Sequence, residues 1–274
     1  MKEDLPGTVK FIFQPAEENE GGARTMIEDG LFERFPVEAV FGMHNIPGMA
    51  VGSFAIKPGP MMAAFDVFDI KITGTGGHAA MPHLTIDPIL VGTKIVEAFQ
   101  TIVSRTINPQ EPTVLSVTQF HGGDTYNVIP NDLVISGCTR CFSQSIQTQL
   151  ESSMKTVAED IARAHGASAE FRYERRYPPT INSEQEAETA RQAAAQVVGS
   201  SNVHDPRPSM GSEDFAYMLQ AKPGSYIWIG NGDGDGDGSC MVHNPGYDFN
   251  DEILPIGASY WVQLVNNILP RLSA

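Results

Sequence analysis

Cysteine is scarce in this chain of 274 residues, which holds Cys138, Cys141 and Cys240 and no others. The odd count argues against a disulfide framework and favours a reducing compartment. No apolar run approaches the ~20 residues of a membrane span, and the first residues, Met-Lys-Glu-Asp, carry no signal-peptide core. We therefore expect a cytoplasmic protein without a membrane partner.

Basic residues are also few. The chain has 18 Lys and Arg against 33 Asp and Glu, so its formal net charge is −15. This balance argues against nucleic acid or an anionic membrane as a main partner and fits a protein that attracts cations. The hydrophobic share of 41% and the charged share of 19% are those of a folded protein with one large domain or two smaller ones.

Proline-rich breaks at residues 58–60 and 178–179 divide the chain. Between them the pattern predicts, in order, strand 64–73, helix 88–107, strand 113–120, strand 133–142, a helix from 143 to 165, and strand 168–177. This β-α-β-β-α-β order is the ferredoxin-like arrangement, an α+β fold. We predict it as an inserted domain of residues 61–177.

The flanking parts, residues 1–60 and 178–274, are predicted to form one α/β domain. Its predicted strands are residues 8–13, 38–43, 51–56 and 225–230, and its predicted helices include residues 22–29, 183–198 and 256–269. Three helix starts carry capping signals: Asp87 before Pro88, Ser143, and Ser183 with Glu186 in a capping box.

Residues 11–22, Phe-Ile-Phe-Gln-Pro-Ala-Glu-Glu-Asn-Glu-Gly-Gly, run from an apolar strand pattern into a turn with two adjacent carboxylates. A loop at the end of a buried strand is where chemistry is usually presented. Glu17 and Glu18 suggest a division of labour, in which one binds a metal and the other moves a proton on a metal-bound water. The alternative is a solvated acidic turn.

Two histidines lie in the flanking α/β segments. His44 directly follows the predicted strand 38–43, and His243 lies in the second segment. With Glu18 they form a plausible oxygen and nitrogen ligand set for Zn, Mn, Co or Ni. A single histidine at a strand end is also commonly a packed or solvated residue.

Three polar residues of the inserted segment suggest substrate contacts. His78 follows a glycine-rich loop, which allows close approach to a ligand, and its imidazole could donate to an oxyanion. Arg140 on a predicted strand could clamp a carboxylate, and Asn127 could orient a carbonyl. The alternatives are a loop histidine without a role, a solvated arginine and an asparagine that satisfies a turn.

Two further patterns predict no site. Cys138 and Cys141 have CxxC spacing, but residues three apart on a strand point to opposite faces. The loop 233–238 imitates the start of a calcium loop, but Asn244 and not Glu stands at its twelfth position.

Six motifs occur in order along the chain. They are residues 13–18 (Phe-Gln-Pro-Ala-Glu-Glu), 42–45 (Gly-Met-His-Asn), 74–83 (Gly-Thr-Gly-Gly-His-Ala-Ala-Met-Pro-His), 126–130 (Tyr-Asn-Val-Ile-Pro), 211–215 (Gly-Ser-Glu-Asp-Phe) and 243–251 (His-Asn-Pro-Gly-Tyr-Asp-Phe-Asn-Asp). Together they resemble the amidohydrolase branch of the M20 metallopeptidase family, which includes hippurate hydrolases and aminoacylases. The resemblance covers essentially all 274 residues.

The resemblance implies a zinc-exopeptidase-like α/β catalytic domain with an inserted ferredoxin-like lid that also forms a homodimer. Glu17 is similar to the family's general base, which activates a metal-bridging water. Glu18, His44 and His243 are similar to metal ligands. His78 is similar to the lid histidine that reaches the active site of the partner subunit.

The substrate implied by the resemblance is a small N-acyl amino acid whose amide bond is hydrolysed. Asn127 and Arg140 are similar to the lid residues that hold the substrate carbonyl and carboxylate, and Gly211 belongs to a motif expected to bind substrate. The implied cofactor is a divalent metal, normally two ions per active site.

One part of the family pattern is missing. Members of this branch carry, upstream of the Glu17–Glu18 turn, a Cys-Gly-His-Asp-Gly-His-like segment that supplies two more ligands, and this sequence has no counterpart. We therefore expect an N-terminally truncated member that holds one metal or none. The alternative function is a catalytically impaired, non-catalytic protein that dimerises or binds.

Overall fold

The computed structural model describes residues 5–18 and 21–269. These residues divide into two compact units. Unit 1 lies within Met1–Met61, Thr180–Ser209 and Glu213–Ala274, and unit 2 comprises Met62–Pro179 with Met210–Ser212. Asn19 and Glu20 of the acidic turn lie outside the described residues.

The elements are numbered in chain order. The strands are β1 (Val40–Pro47), β2 (Phe54–Ala55), β3 (Gly59–Met62), β4 (Phe65–Thr73), β5 (Gly77–His78), β6 (Thr113–His121), β7 (Val128–Ile129), β8 (Asp132–Cys141), β9 (Ser168–Tyr177), β10 (Thr180–Asn182), β11 (Val203–His204) and β12 (Gly224–Gly232). The α-helices are α1 (Gly22–Glu28), α2 (Leu31–Arg34), α3 (Pro88–Thr101), α4 (Gln144–Ala164), α5 (Glu184–Val198), α6 (Ala216–Ala221) and α7 (Ile253–Ile268). Within the described ranges, no helix is both long and apolar enough to cross a membrane.

Unit 2 is a four-stranded antiparallel sheet of order β6-β8-β4-β9, with α3 and α4 packed on one face. The alternation of Leu133, Ile135 and their neighbours along β8 sends every second side chain into this helix-covered core. The long elements follow the predicted order of strand, helix, strand, strand, helix, strand. The role of the unit as a lid stays a prediction.

The predicted caps of unit 2 are confirmed. Asp87 Oδ1 accepts a hydrogen bond from the Ile89 N–H at 2.9 Å, and Ser143 Oγ accepts one from the Ile146 N–H at 3.2 Å. Each side chain therefore satisfies one backbone donor at a helix start. Helix α3 ends earlier than predicted, because residues 102–106 wind as a π-helix.

Unit 1 is built on a sheet of order β1-β12-β2-β11, in which β1 and β12 are parallel. Strand β12 is buried along its whole length. A strand covered on both faces is expected to be a near-continuous apolar run, and β12 contains Tyr-Ile-Trp-Ile at its centre. Helices α5 and α7 contribute Ala190, Tyr260 and Leu264 to the same core.

The predicted buried strand at residues 8–13 is wrong. No regular secondary structure is assigned to these residues, and the side chains of Phe11 and Phe13 are 82% and 90% exposed. A strand requires a neighbour that shares its backbone hydrogen bonds. Among the described residues no strand pairs with this segment, so its local apolar pattern does not produce one.

Two other local predictions are corrected. Strand β1 continues past residue 43 to Pro47, because it pairs with β12 through His44 and Trp228 and beyond, so His44 lies inside the strand and not after it. The capping box at Ser183 does not form: the Ser183 side chain makes no cap bond and its Oγ accepts from the Gly224 N–H at 3.1 Å.

Candidate functional site

The predicted site residues fall into two groups, one in each unit. The residues in unit 1 are Glu17, Glu18, His44 and His243. The residues in unit 2 are His78, Asn127, Arg140 and Gly211.

Backbone strain marks the group in unit 1. In the described part of the chain, Ala16 and His243 are the non-glycine residues with positive φ, at 53° and 61°. The left-handed conformation costs roughly 1–2 kcal/mol for such residues, and it is concentrated at functional sites. Ala16 directly precedes Glu17, and His243 is itself a predicted ligand.

The side chain of Glu18, two residues after Ala16, approaches that of the strained His243. Glu18 Oε1 lies 3.7 Å from His243 Nε2, and both side chains are mostly exposed. On strand β1, His44 Nδ1–H donates to the Asn45 carbonyl oxygen at 2.5 Å. This hydrogen bond leaves the lone pair of His44 Nε2 directed away from the backbone, which is the usual arrangement of a ligating imidazole.

These donors suit a divalent cation in kind, since carboxylate oxygen and imidazole nitrogen are ligands of zinc and related metals. Within residues 5–18 and 21–269, however, no three His, Cys, Asp or Glu side chains are arranged so that they could hold a metal ion. Of the predicted ligands, the structure brings Glu18 and His243 together and does not add His44 to them. A pair is short of the three or four protein ligands of a zinc site, so the described residues do not form a metal centre by themselves.

Glu17 is half-buried beside these residues. Its burial and then the negative charges of Glu213, Glu18 and Asp214 raise the pKa of Glu17 from 4.5 to about 7. A carboxylate with a pKa near the working pH is suited to accept and return a proton. The same four carboxylates create a negative potential that attracts cations.

Sequence reasoning placed Glu213 and Asp214 in the motif of residues 211–215 but gave them no role. Both are buried. Glu213 accepts from the Tyr226 hydroxyl and from the Phe215 N–H at 3.0 Å, and Asp214 accepts from the Ala23 N–H at 2.8 Å. Burial raises the pKa of Asp214 to about 6, although the hydrogen bond from the Ala23 N–H opposes this shift. The available signal was two adjacent acidic residues directly before an apolar helical segment.

In unit 2 the structure brings His78 and Asn127 together, because strand β5 pairs with β7 and the Ala79 N–H donates to the Asn127 carbonyl oxygen at 3.0 Å. The Ala80 N–H donates to His78 Nδ1 at 3.0 Å. The neutral ring therefore carries its proton on Nε2, where it can be donated to a ligand. Both side chains are exposed.

Arg140 and Gly211 also lie together. Arg140 Nη1 donates to the Met210 carbonyl oxygen at 2.8 Å and to Ser212 Oγ at 3.4 Å, the two neighbours of Gly211. Its guanidinium carbon lies 4.5 Å from the centroid of the Phe65 ring, within the range of a cation–π contact. These contacts hold the planar guanidinium in one orientation, as bidentate recognition of a carboxylate requires.

Cys138 and Cys141 occupy opposite faces of β8, as predicted: Cys141 is buried and Cys138 is half-buried. The alternation along the strand separates the two thiols.

Comparison with known proteins gives one family. The sequence profile described as peptidase family M20/M25/M40 matches residues 1–267. The chain is 40% identical to the N-acetyl-L-cysteine deacetylase of Bacillus subtilis (strain 168), over 95% of this chain and 60% of that protein. It is 34% identical to the hippurate hydrolase of Campylobacter jejuni, over 96% of this chain and 67% of that protein.

Among solved structures, the chain is similar to the Bacillus subtilis YXEP protein, described as a dinuclear metal-binding peptidase from the M20 family. The TM-score is 0.81 and the identity is 33%, over 98% of this chain and 67% of that one. The chain thus spans between 60% and 67% of the length of these three proteins.

Proposed function

We propose that this chain, which belongs to peptidase family M20/M25/M40, takes part in hydrolysing the amide bond of N-acyl amino acids. The names of its relatives, a deacetylase and a hippurate hydrolase, favour an amidohydrolase over a non-catalytic binding protein. The observation that carries the proposal is the Glu17–Glu18 turn. There a strained Ala16 presents a half-buried Glu17, and Glu18 faces the strained His243.

In this proposal Glu17 is the general base. Its carboxylate takes a proton from the attacking water and returns it to the leaving nitrogen. Glu18 and His243 are the proposed ligands of a divalent metal such as Zn, Mn, Co or Ni, and His44 is a further proposed ligand, which the structure does not bring to that pair. When bound, such a metal lowers the pKa of a water ligand and polarises the carbonyl.

The residues of unit 2 are proposed to bind substrate. Arg140, oriented by Phe65 and Met210, takes the carboxylate of the amino acid, and the neighbouring Gly211 lets the ligand approach the backbone. Asn127 holds the carbonyl, and His78 Nε2–H donates to the oxyanion. We also propose that the chain forms a homodimer in which His78 contributes to the active site of the partner subunit. The proposed location is the cytoplasm.

The test uses the purified chain with N-acetyl-L-cysteine and N-benzoylglycine in the presence of Zn, Mn, Co or Ni. Glu17→Ala should lower turnover by about 10²–10⁴-fold with metal content unchanged, because Glu17 is assigned proton transfer. Glu18→Ala should lower the metal content measured by mass spectrometry. The control is Glu38→Ala, at an exposed glutamate of unit 1, which should change neither.

Loss of metal in Glu17→Ala with retention in Glu18→Ala would mean that the two roles are exchanged. A wild-type chain that hydrolyses neither substrate with any of the metals would overturn the proposed function.

A further inference from the structure

Asp214 is a buried carboxylate to which the proposed mechanism gives no role. Its side chain is fully buried, and its two oxygens accept hydrogen bonds from opposite ends of one chain segment. Oδ1 accepts from Gln14 Nε2, and Oδ2 accepts from the Ala23 N–H at 2.8 Å. Gln14 precedes the Glu17–Glu18 pair and Ala23 follows it, so one carboxylate closes the segment that carries both glutamates.

Regular secondary structure covers little of the described part of that segment. Residues 8–16 have no regular secondary structure, and α1 begins at Gly22 without a side-chain cap. Ala16 and Gly21 both adopt positive φ, and a backbone bond from the Gly22 N–H to the Ala16 carbonyl oxygen is long, at 3.3 Å. The bonds to Asp214 therefore add constraints from outside the segment to this strained turn.

Asp214 itself is firmly held. The Tyr217 N–H donates to its carbonyl oxygen at 2.9 Å, and the adjacent Glu213 accepts from Tyr226 on the buried strand β12. The Phe215 N–H also donates to Glu213, at 3.0 Å. The backbone at Asp214 is thus held by its own helical turn, the neighbouring Glu213 side chain is bonded to β12, and the Asp214 carboxylate binds the turn.

We propose that Asp214 is a positioning residue whose buried carboxylate fixes the Glu17–Glu18 turn through its bonds to Gln14 and Ala23. The importance of the turn rests on the proposed function, but the hydrogen bonds do not. Asparagine can serve in the same place, with its oxygen toward the Ala23 N–H and its amide nitrogen toward Oε1 of a reoriented Gln14. Alanine can make neither bond.

Hydrogen–deuterium exchange of the full chain, read by mass spectrometry on peptides that cover residues 14–25, tests the inference directly. Asp214→Ala should speed exchange there by about tenfold or more, and Asp214→Asn should stay within about threefold of wild type. The matched control is Asp66→Ala, which removes a buried, hydrogen-bonded aspartate from unit 2. It should leave exchange of residues 14–25 unchanged.

Turnover supplies a second readout. Asp214→Ala should lower kcat by about tenfold or more and change KM by less than about threefold, because the turn is misplaced while the proposed substrate contacts of unit 2 remain. Asp214→Asn should restore most of kcat. A loss of kcat in both variants alike would show that Asp214 acts through its charge and would overturn positioning by hydrogen bonds.

Wild-type exchange of residues 14–25 in Asp214→Ala would also overturn the inference. If circular dichroism shows that Asp214→Ala does not fold, Gln14→Leu breaks one of the two bonds at a half-buried position and is read in the same way. If the wild-type chain hydrolyses neither substrate, the proposed function fails, and the exchange experiment still decides the role of Asp214.

Discussion

Two buried aspartates, Asp66 in unit 2 and Asp214 in unit 1, are 1% and 0% exposed, and both accept hydrogen bonds. Asp66 lies on β4 and accepts from Gln147 on α4, at 2.8 and 3.0 Å, and from Tyr173 on β9, at 2.7 Å. It therefore joins regular elements that also share an apolar core. Asp214 joins the two ends of an irregular turn.

The difference concerns what else holds each partner in place. Around Asp66, the sheet ladder and the packing of Phe68 against Phe99, with ring centroids 5.9 Å apart, order the same elements without the carboxylate. Around Asp214, the described residues 8–16 of the segment belong to no strand or helix. One buried carboxylate thus contributes mainly to stability in unit 2, and we infer that the other contributes mainly to local geometry in unit 1.

The largest expected effect is the loss of stability in Asp66→Ala. The substitution leaves Gln147 Nε2 and the Tyr173 hydroxyl buried without this acceptor, which should lower the free energy of unfolding by about 2–4 kcal/mol. Urea denaturation followed by far-UV circular dichroism measures it. The control is Asp69→Ala on the same strand, where an exposed carboxylate accepts from Ser136 at 2.7 Å, and the change should stay within about 0.5 kcal/mol. Equal losses in the two variants would contradict the role assigned to burial.

Much of unit 2 could be predicted from the sequence, because its determinants are local. The alternation along β8 and the caps at Asp87 and Ser143 depend on residues within one element. Strand β9 has the predicted bounds. Predictions from local patterns hold when each helix or strand can bury one face against its neighbours.

Unit 1 was less predictable, because its determinants are distant in sequence. The apolar residues 8–13 form no strand, and β1 runs past His44 because it follows β12, nearly 200 positions away. The bond from Gln14 to Asp214 spans 200 positions, and no spacing rule indicates it. The resemblance of the motifs assigned Glu17 and Glu18 to a site, but it could not show what fixes their turn.

The next largest expected effect is a loss of stability when Gly42, which packs against Tyr226 and Phe215, is replaced. A Cβ atom at Gly42 would lie 2.6 Å from Cδ2 of Tyr226 and 3.2 Å from Cδ1 of Phe215, so these rings would have to move. Gly42→Ala should therefore lower the free energy of unfolding by about 1–3 kcal/mol. Because Tyr226 donates to Glu213, exchange of residues 14–25 should also rise.

The control for Gly42 is Gly236→Ala, in an exposed loop where the nearest atom to a new Cβ is the Asp233 carbonyl oxygen at 3.5 Å. It should change stability by less than about 0.5 kcal/mol. A stability loss in Gly42→Ala without faster exchange of residues 14–25 would separate the packing of unit 1 from the geometry of the turn.

The pH dependence of the free energy of unfolding tests the effect of burial on Asp66. Burial raises the pKa of Asp66 above 3.8, although hydrogen bonds from Tyr173 and Gln147 and the charge of Arg175 oppose this. A raised pKa means that the folded state favours the protonated form. The stability of the wild type relative to Asp66→Asn should therefore increase as the pH falls from neutrality through the raised pKa, and level off below 3.8. Urea midpoints of both proteins at a series of pH values measure this, and a relative stability that falls with pH would reverse the sign.

The smallest expected change in stability concerns a buried hydroxyl that, unlike the carboxylates of Asp66 and Asp214, has no hydrogen-bond partner among the described residues. The hydroxyl of Tyr260 on α7 is fully buried, and no partner accepts or donates to it among the described residues. Its ring packs against Phe54, with centroids 5.3 Å apart, so Tyr260→Phe keeps the packing and removes an unsatisfied polar group. The free energy of unfolding should stay within about 0.5 kcal/mol of wild type or rise. Tyr226→Phe, which deletes the donor to Glu213, should instead lower it by about 1–2 kcal/mol, and a similar loss in both variants would mean that the Tyr260 hydroxyl has a partner in solution.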